Sequence, residues 1–248
     1  GWDLTYKEGK AKTVDNIDFT KRVANGPTDR GFDYFYGLTS PSGPPHLYMV
    51  NDMAEKQPNT RFEESGGGLY KIKGGIGHSD WSADGMQPHL ADKMLEYLDE
   101  NKDSDKPFFL YMALTAPHIP LFPSKEFKGK SKIGDYGDLV MMIDDIVGRV
   151  NRKLKEIGKY DNTIVMFAAD NGCAGYINMD RINRKGHYPS YIYRGYKSHG
   201  WEGGHRIPFI LSWGDRYGHV TDNSLVSLTD LYATFADMLG YRIADDEA

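Results

Sequence analysis

The segment Thr-Ile-Val-Met-Phe-Ala-Ala-Asp-Asn-Gly, residues 163–172, decides the fold class of this chain. Its continuous apolar part is typical of a short strand buried on both faces of a sheet. Two further runs of this kind occur at 108–114 and 207–213, and stretches with helical spacing lie between and after them. Strands that alternate with helices predict an α/β fold with a mainly parallel or mixed central sheet flanked by helices.

Helical periodicity is clearest where apolar residues recur three and four positions apart, from Leu139 to Ile157. The same spacing predicts three helices in all, at 88–101, 135–157 and 227–239. In the last of these we expect an inward face formed by Leu228, Leu231, Phe235 and Leu239. Residues 1–90 are instead dense in Gly, Pro, Asn and Asp, which predicts loops over a site with short strands near 32–36 and 69–73. No linker or repeat interrupts the chain, so one domain is predicted for residues 1–248.

Composition argues against several classes of protein. The formal net charge is -5 and no basic stripe stands out, so a nucleic-acid partner is not indicated. No apolar run is long enough to predict a membrane span. Cys173 is the single cysteine, which excludes a disulfide within the chain and a cysteine-rich zinc site. Because nothing beside it in sequence would activate a thiolate, we expect a buried and unreactive thiol.

Polar residues follow two of the predicted strands, at the strand ends where ligands bind in α/β folds. His118 lies between Pro117 and Pro120, and near neutral pH its imidazole could donate a proton or bind an anion. Asp170 and Asn171 carry oxygen donors suited to Ca²⁺ or Mg²⁺. Both motifs have plainer explanations, since a turn histidine and a generic Asp-Asn-Gly turn would give the same sequence.

A glycine-rich segment, Gly-Tyr-Lys-Ser-His-Gly-Trp-Glu-Gly-Gly-His-Arg-Ile-Pro, precedes the third predicted strand at residues 195–208. Cationic side chains on such a loop can hold an anionic group. Lys197 and His199 are the better candidates for contact with a ligand. We expect Glu202 and Arg206 to form a structural ion pair that fixes the loop.

Taken in order, several segments resemble the sulfatase family of the alkaline phosphatase superfamily. The block from Lys197 to Pro208, together with Pro-His-Ile-Pro and Asp-Asn-Gly, is specific, whereas each motif alone is weak. The resemblance runs over nearly the whole chain. The matching stretches are residues 25–37, 107–111, 117–120, 144–148, 169–172, 197–208 and 227–234.

The resemblance implies a role for each candidate residue. Asp170 and Asn171 match two of the family's calcium ligands, and Lys197 matches the lysine that contacts the sulfate. His118 matches the histidine that binds sulfate and helps to protonate the leaving alcohol. His199 has no counterpart role, and we expect it to contact the substrate. A sulfatase implies a carbohydrate or aryl sulfate substrate and, by analogy, a periplasmic, secreted or lysosomal location.

The chain also departs from the family pattern. The family's nucleophile is a formylglycine made from the Cys or Ser of Cys/Ser-x-Pro-Ser-Arg, and no such motif occurs here. The first aspartate pair of the calcium site is also absent. Gly1-Trp2 resembles the sequence after the family's Lys-Trp-His-Leu segment, and residues 245–248 lie near its smaller C-terminal subdomain. We therefore expect a chain that lacks both ends, with half a metal site and no nucleophile, and a partner segment elsewhere in the same protein.

Two other functions remain open from the sequence. One is a phosphatase, phosphodiesterase or phosphonate hydrolase of the same superfamily, although the block from Lys197 to Pro208 and a single cation site argue against it. The other is a non-catalytic, anion-binding relic of an enzyme.

Overall fold

A computed structural model describes residues 2–40 and 43–244 of the chain. The predicted approach to a C-terminal subdomain at 245–248, and Gly1 of the Gly1-Trp2 match, lie outside the described residues. The chain separates into two compact units, Gly1–Gly214 and Asp215–Ala248. Within the described ranges, no helix combines the length and hydropathy needed to cross a bilayer.

The region before the first long helix has a core of its own, and is more than the loops that turn chemistry predicted. Strands β1 (Tyr36–Gly37), β2 (Met49–Val50) and β3 (Met53–Ala54) form an antiparallel sheet, and β4 (Thr60–Phe62) pairs antiparallel with β5 (Gly75–Gly77). The strand expected at 32–36 is reduced to β1. The one expected at 69–73 begins in a 3-10 helix, Gly68–Tyr70, and is reduced to an isolated antiparallel bridge between Ile72 and Ser65. The buried residues of this core are Ile17, Phe19, Val23, Leu47 and Met49.

Two helices form the main core, as periodicity predicted. Helix α1 spans Met86–Glu100 and helix α2 spans Asp135–Glu156. Helix α1 begins two residues earlier than predicted because Pro88 falls in its first turn, where the missing N–H of proline has no intrahelical partner to lose. The buried residues between these helices and the segment after residue 115 are Ala91, Leu121, Phe127, Leu139, Met142 and Ile146.

The predicted strands at 163–169 and 207–213 are β6 (Ile164–Ala168) and β7 (Phe209–Trp213), and they pair antiparallel rather than parallel. The run at 108–114 forms no strand, which corrects the prediction of a strand buried on both faces. Its Tyr111 is 71% exposed, and Ile210 of β7 is 60% exposed. A buried parallel strand needs neighbours on both edges and helices on both faces, and the described residues do not supply them here.

Short helices complete the described structure. Helix α3 (Met179–Arg184) and helix α4 (Glu202–His205) belong to the first unit. Helix α5 (Asp230–Met238) belongs to the second unit and corresponds to the helix predicted at 227–239. Its expected inward face is not buried, because Leu239 is exposed and Ala236 is the helix's one buried residue. A unit this short cannot enclose an apolar face by itself.

Candidate functional site

The antiparallel pairing of β6 and β7 brings two of the predicted motifs together. Ala168, the last residue of β6, lies opposite Phe209, the first residue of β7. The Asp-Asn-Gly turn after β6 and the glycine-rich segment before β7 therefore emerge at the same end of the strand pair. Two backbone hydrogen bonds join them, from Gly172 N–H to the Gly204 carbonyl (2.9 Å) and from Lys197 N–H to the Cys173 carbonyl (2.8 Å).

The closeness of these backbones explains why glycines occupy the crossing points. A Cβ atom on Gly172 would lie 2.0 Å from the carbonyl oxygen of Gly203. A Cβ atom on Gly204 would lie 2.1 Å from the carbonyl oxygen of His199. A side chain at Gly172 would force the turn and the glycine-rich segment apart, and one at Gly204 would disrupt the fold of the glycine-rich segment itself.

His118 follows the run at 108–114 and has a defined tautomer. Its Nδ1 atom lies 2.7 Å from the carbonyl oxygen of Ile119. Because a carbonyl can only accept, Nδ1 carries the proton, and Nε2 remains for chemistry with a ligand. The imidazole also meets the ring of Tyr176 edge to face, with centroids 6.2 Å apart. Tyr176 follows the Asp-Asn-Gly turn, so this ring links His118 to the segment that Lys197 contacts.

Burial raises the pKa of Tyr176, and a backbone hydrogen bond with Ile119 opposes that rise. The phenol therefore stays neutral near physiological pH and serves as a fixed neighbour of the imidazole rather than as a base. A small pocket lies beside His118, and it is lined by Met86, Gln87, Thr115, Ile119, Phe122 and Leu139.

Gln87 supports the turn that carries His118, and the sequence interpretation missed it. Its side chain is 2% exposed and contacts the Thr115 hydroxyl. In the amide orientation that satisfies the turn, Oε1 accepts from the backbone N–H groups of Thr115 (3.2 Å) and Ala116 (3.1 Å). The position of Gln87 in the sequence could have indicated this role. Gln87 shares a helix face with Ala91, Met94 and Leu98, and a glutamine on an apolar face needs buried hydrogen-bond partners.

Lys197 and His199 differ in their surroundings. Within the described part of the chain, no carboxylate lies within 4.0 Å of the Lys197 ammonium group, so its charge is available to an anion. His199 is exposed and stacks on Tyr196, with ring centroids 4.2 Å apart. Ser198, between them, has φ 74°, a left-handed conformation that costs a non-glycine residue energy. The two side chains thus extend from a constrained backbone.

The predicted metal ligands have suitable chemistry but are few. Asp170 is exposed, and the Asn171 side-chain N–H donates to the Gly172 carbonyl (3.0 Å), which leaves the amide oxygen available. Calcium takes six to eight oxygen ligands. Among the residues that the structure describes, no three His, Cys, Asp or Glu side chains form a group that could hold a metal ion. The oxygen donors of these two residues are therefore of the type that calcium binds, but they are fewer than a calcium site needs.

Two further predictions concern structural side chains. The Arg206 guanidinium lies 3.1 Å from the Glu202 carboxylate, which is the expected ion pair within the glycine-rich segment. Cys173 is half-buried, with its Sγ 3.6 Å from the sulfur of Met179. Burial raises the pKa of this thiol, so it remains protonated at neutral pH, as expected for an unreactive cysteine.

Comparison with known proteins gives the family. The Sulfatase family model matches residues 6–241, and the chain belongs to this family. It is 33% identical over 171 residues to an N-acetylgalactosamine-6-O-sulfatase of Bacteroides thetaiotaomicron, an alignment that covers 68% of this chain and 33% of that protein. It is 30% identical over 174 residues to the steryl-sulfatase of Homo sapiens, covering 66% of this chain and 28% of that enzyme. The chain thus spans about a third of the length of these relatives.

Solved structures agree. A protein from work on glycosaminoglycan metabolism by Bacteroides thetaiotaomicron superposes with a TM-score of 0.79 at 26% identity, covering 99% of this chain and 57% of that one. A sulfatase from Pseudoalteromonas sp. superposes with a TM-score of 0.67 at 26% identity, covering 90% and 46%. The predicted fold class, an α/β fold of the alkaline-phosphatase-like sulfatase type, is confirmed.

Proposed function

We propose that the protein containing this chain hydrolyses sulfate esters of carbohydrates or aryl alcohols. The observation that carries the proposal is the backbone pairing of Lys197 with Cys173, which holds a lysine without an acidic neighbour next to the Asp-Asn-Gly turn of a sulfatase-family chain. Hydrolysis breaks a sulfate ester with water and yields an alcohol and sulfate. It therefore needs charge stabilisation on the sulfate oxygens and a proton for the leaving alkoxide.

Two side chains supply these needs. The Lys197 ammonium group binds the oxygens of the transferred sulfate, where negative charge has to be stabilised. The His118 imidazole has its Nδ1 hydrogen bond to Ile119 already made, which leaves Nε2 for the ester. In its protonated form this nitrogen donates the proton that the leaving alcohol requires.

Asp170 and Asn171 would supply two of the oxygen ligands of a calcium ion, whose charge would further stabilise the sulfate oxygens. The chain has no Cys/Ser-x-Pro-Ser-Arg sequence. We therefore assign the formylglycine nucleophile, and the remaining calcium ligands, to another segment of the same protein. The same segment would pack over the exposed apolar residues around Tyr111 and Ile210.

His199 is proposed as a substrate contact. It is exposed on the same constrained backbone as Lys197, and its ring is held by Tyr196. Replacement of His199 by alanine should raise KM more than it lowers kcat, because a contact made equally in the ground state and transition state contributes to binding alone. The reverse pattern would place His199 among the groups that act in the transition state.

The proposal is tested in the full-length gene product with two sulfate esters and one phosphate ester. We expect turnover of 4-nitrophenyl sulfate and of a sugar 6-sulfate, and far slower turnover of 4-nitrophenyl phosphate. Lys197→Ala should lower kcat/KM for both sulfates by about 10²–10³-fold. Lys12→Ala, an exposed lysine in the N-terminal region, is the matched control and should leave kcat/KM unchanged.

The two leaving groups separate the role of His118 from that of Lys197. A sugar alkoxide is a poor leaving group and needs a proton, whereas nitrophenolate leaves without one. His118→Gln should therefore cost about 10²–10⁴-fold with the sugar sulfate and much less with the nitrophenyl ester. Equal losses on both esters would refute the general-acid role. Preference for the phosphate ester would refute the sulfatase proposal itself.

A further inference from the structure

A basic, aromatic segment lies directly before and around Lys197. Residues 181–201 contain five Lys or Arg residues and no Asp or Glu, although the whole chain carries a net charge of -5. The same segment contains four tyrosines and a tryptophan. Positive charge and aromatic rings are thus concentrated in this segment. Neither the proposed sulfate chemistry nor packing in the core accounts for that concentration.

The rings and guanidinium groups of this segment are already arranged in pairs, one of which includes Arg206 just beyond the segment. The Arg194 guanidinium lies 3.8 Å from the centroid of the Trp201 ring, and the Arg206 guanidinium lies 4.7 Å from that of Tyr193. Tyr191 meets Tyr193 edge to face, with centroids 5.8 Å apart. We call these five residues the aromatic ledge. Stacking of this kind fixes both the ring and the cation before a ligand arrives.

The aromatic ledge is open to solvent. Trp201 is 50% exposed and Tyr191 is 70% exposed. Tyr191 also has φ 51°, a left-handed conformation that is uncommon for a bulky residue. Within the described ranges, no carboxylate lies within 4.0 Å of the Arg194 guanidinium. An exposed ring next to an unneutralised guanidinium can bind a ligand that carries both an apolar face and a negative charge.

The aromatic ledge adjoins the anion-binding residues. A Cβ atom on Gly195 would lie 3.0 Å from Cβ of Trp201 and 3.2 Å from Cβ of His199, so both of these side chains start close to this glycine. The Arg194 carbonyl accepts from Gly203 N–H (2.9 Å), within the same turn that holds Lys197 in place. A molecule bound at Lys197 and His199 therefore reaches Trp201 and Arg194 if it is longer than one ring.

We propose that the aromatic ledge is a second subsite for a polyanionic glycan chain, which rests on the proposed sulfate-ester chemistry at Lys197. The C–H face of a neighbouring sugar ring stacks on Trp201, and a second sulfate or carboxylate of the chain binds Arg194. Sulfated sugars combine these two features in every repeat, whereas a simple aryl sulfate has neither a second ring nor a second anion. The substrate class is thus a sulfated oligosaccharide or polysaccharide.

Binding measurements on the full-length gene product test this subsite without requiring turnover. The probes are a chondroitin sulfate hexasaccharide, its chemically desulfated form and a uridylate hexanucleotide. The sulfated hexasaccharide should bind at least tenfold more tightly than either of the others. Trp201→Ala and Arg194→Gln should each raise its Kd about tenfold, since each removes one contact of the second sugar.

Arg184→Gln is the matched control, because Arg184 is an exposed arginine of the same basic segment and lies outside the aromatic ledge. It should change Kd less than about twofold. Trp201→Phe keeps a ring and should bind within about threefold of the unchanged protein. Equal losses for Arg184→Gln and Arg194→Gln, unchanged binding of Trp201→Ala, or tighter binding of the uridylate would each overturn the proposal. Failure to hydrolyse both 4-nitrophenyl sulfate and the sugar 6-sulfate would instead count against the sulfatase function alone.

Discussion

Replacement of Gln87 by leucine should destabilise the first unit and loosen the turn that carries His118. The Gln87 amide is buried and accepts from the backbone N–H groups of Thr115 and Ala116. Leucine has a similar volume but no acceptor, so these donors would stay buried without a partner. The helix face that Gln87 occupies would remain filled, which separates the polar loss from a cavity effect.

The magnitude follows from the number of donors. A buried donor left without a partner costs about 1–3 kcal/mol. Two backbone donors lose their acceptor here, and the added apolar surface of leucine returns about 1 kcal/mol. The net loss is about 1–5 kcal/mol of unfolding free energy, with a central value of about 3 kcal/mol. With a urea slope of about 3 kcal/mol/M, the unfolding midpoint should fall by about 1 M.

Tryptophan fluorescence during urea unfolding is a suitable assay because all four tryptophans lie within residues 1–214. Gln57→Leu is the control: Gln57 is the other glutamine of the chain, is exposed, and makes a single hydrogen bond to the Phe19 carbonyl (2.9 Å). Amide hydrogen exchange at Thr115 and Ala116 should accelerate in the Gln87 variant. Equal midpoint shifts for the two variants, or unchanged exchange at the turn, would refute the assigned role of Gln87.

Two further outcomes are expected for stability. Burial lowers the pKa of His46 and of His89, so the unfolded state binds their protons more readily than the folded state does. The stability that these two residues contribute should be full above about pH 6.5, and it should fall as the pH drops through their lower pKa values in the folded state. His46→Gln and His89→Gln should each flatten that loss in urea titrations between pH 7 and 5, whereas replacing the exposed His187 should not. Asp138 is fully buried and accepts from the backbone N–H groups of Gly129 (2.7 Å) and Ser131 (2.5 Å). Asp138→Asn should therefore cost about 2–4 kcal/mol of unfolding free energy, against less than about 0.5 kcal/mol for replacement of the exposed Asp144 by Asn. Equal urea midpoints for the two variants would contradict this role of Asp138.

Local pattern predicted the long helices because their cause is local. Helices α1 and α2 depend on apolar residues three and four apart, a spacing that a single stretch of sequence contains in full. The strands β6 and β7 were predicted within one or two residues for the same reason. Their direction of pairing was not, because a continuous apolar run does not identify the distant segment with which a strand pairs.

The run at 108–114 shows the limit of such patterns. Its composition is that of a buried strand, yet Tyr111 is largely exposed and no strand forms. A strand exists only when another segment supplies hydrogen-bonding partners, and sequence composition does not say which segment does so. The same applies to Leu239 at the end of α5, whose apolar character predicted burial that its short unit does not provide.

The sequence by itself determined the residue types of the candidate site and the family to which the chain belongs. His118, Asp170, Asn171, Lys197 and His199 carry the relevant chemistry in their side chains, and their motifs are contiguous. Only the tertiary structure decided how these motifs meet: Lys197 against Cys173, and His118 against Tyr176. The hydrogen bonds by which Gln87 supports the turn at Thr115 and Ala116, and the stacking of Arg194 on Trp201, are likewise visible only in the tertiary structure. Contacts across long chain separations depend on the packing of whole elements, which local spacing cannot encode.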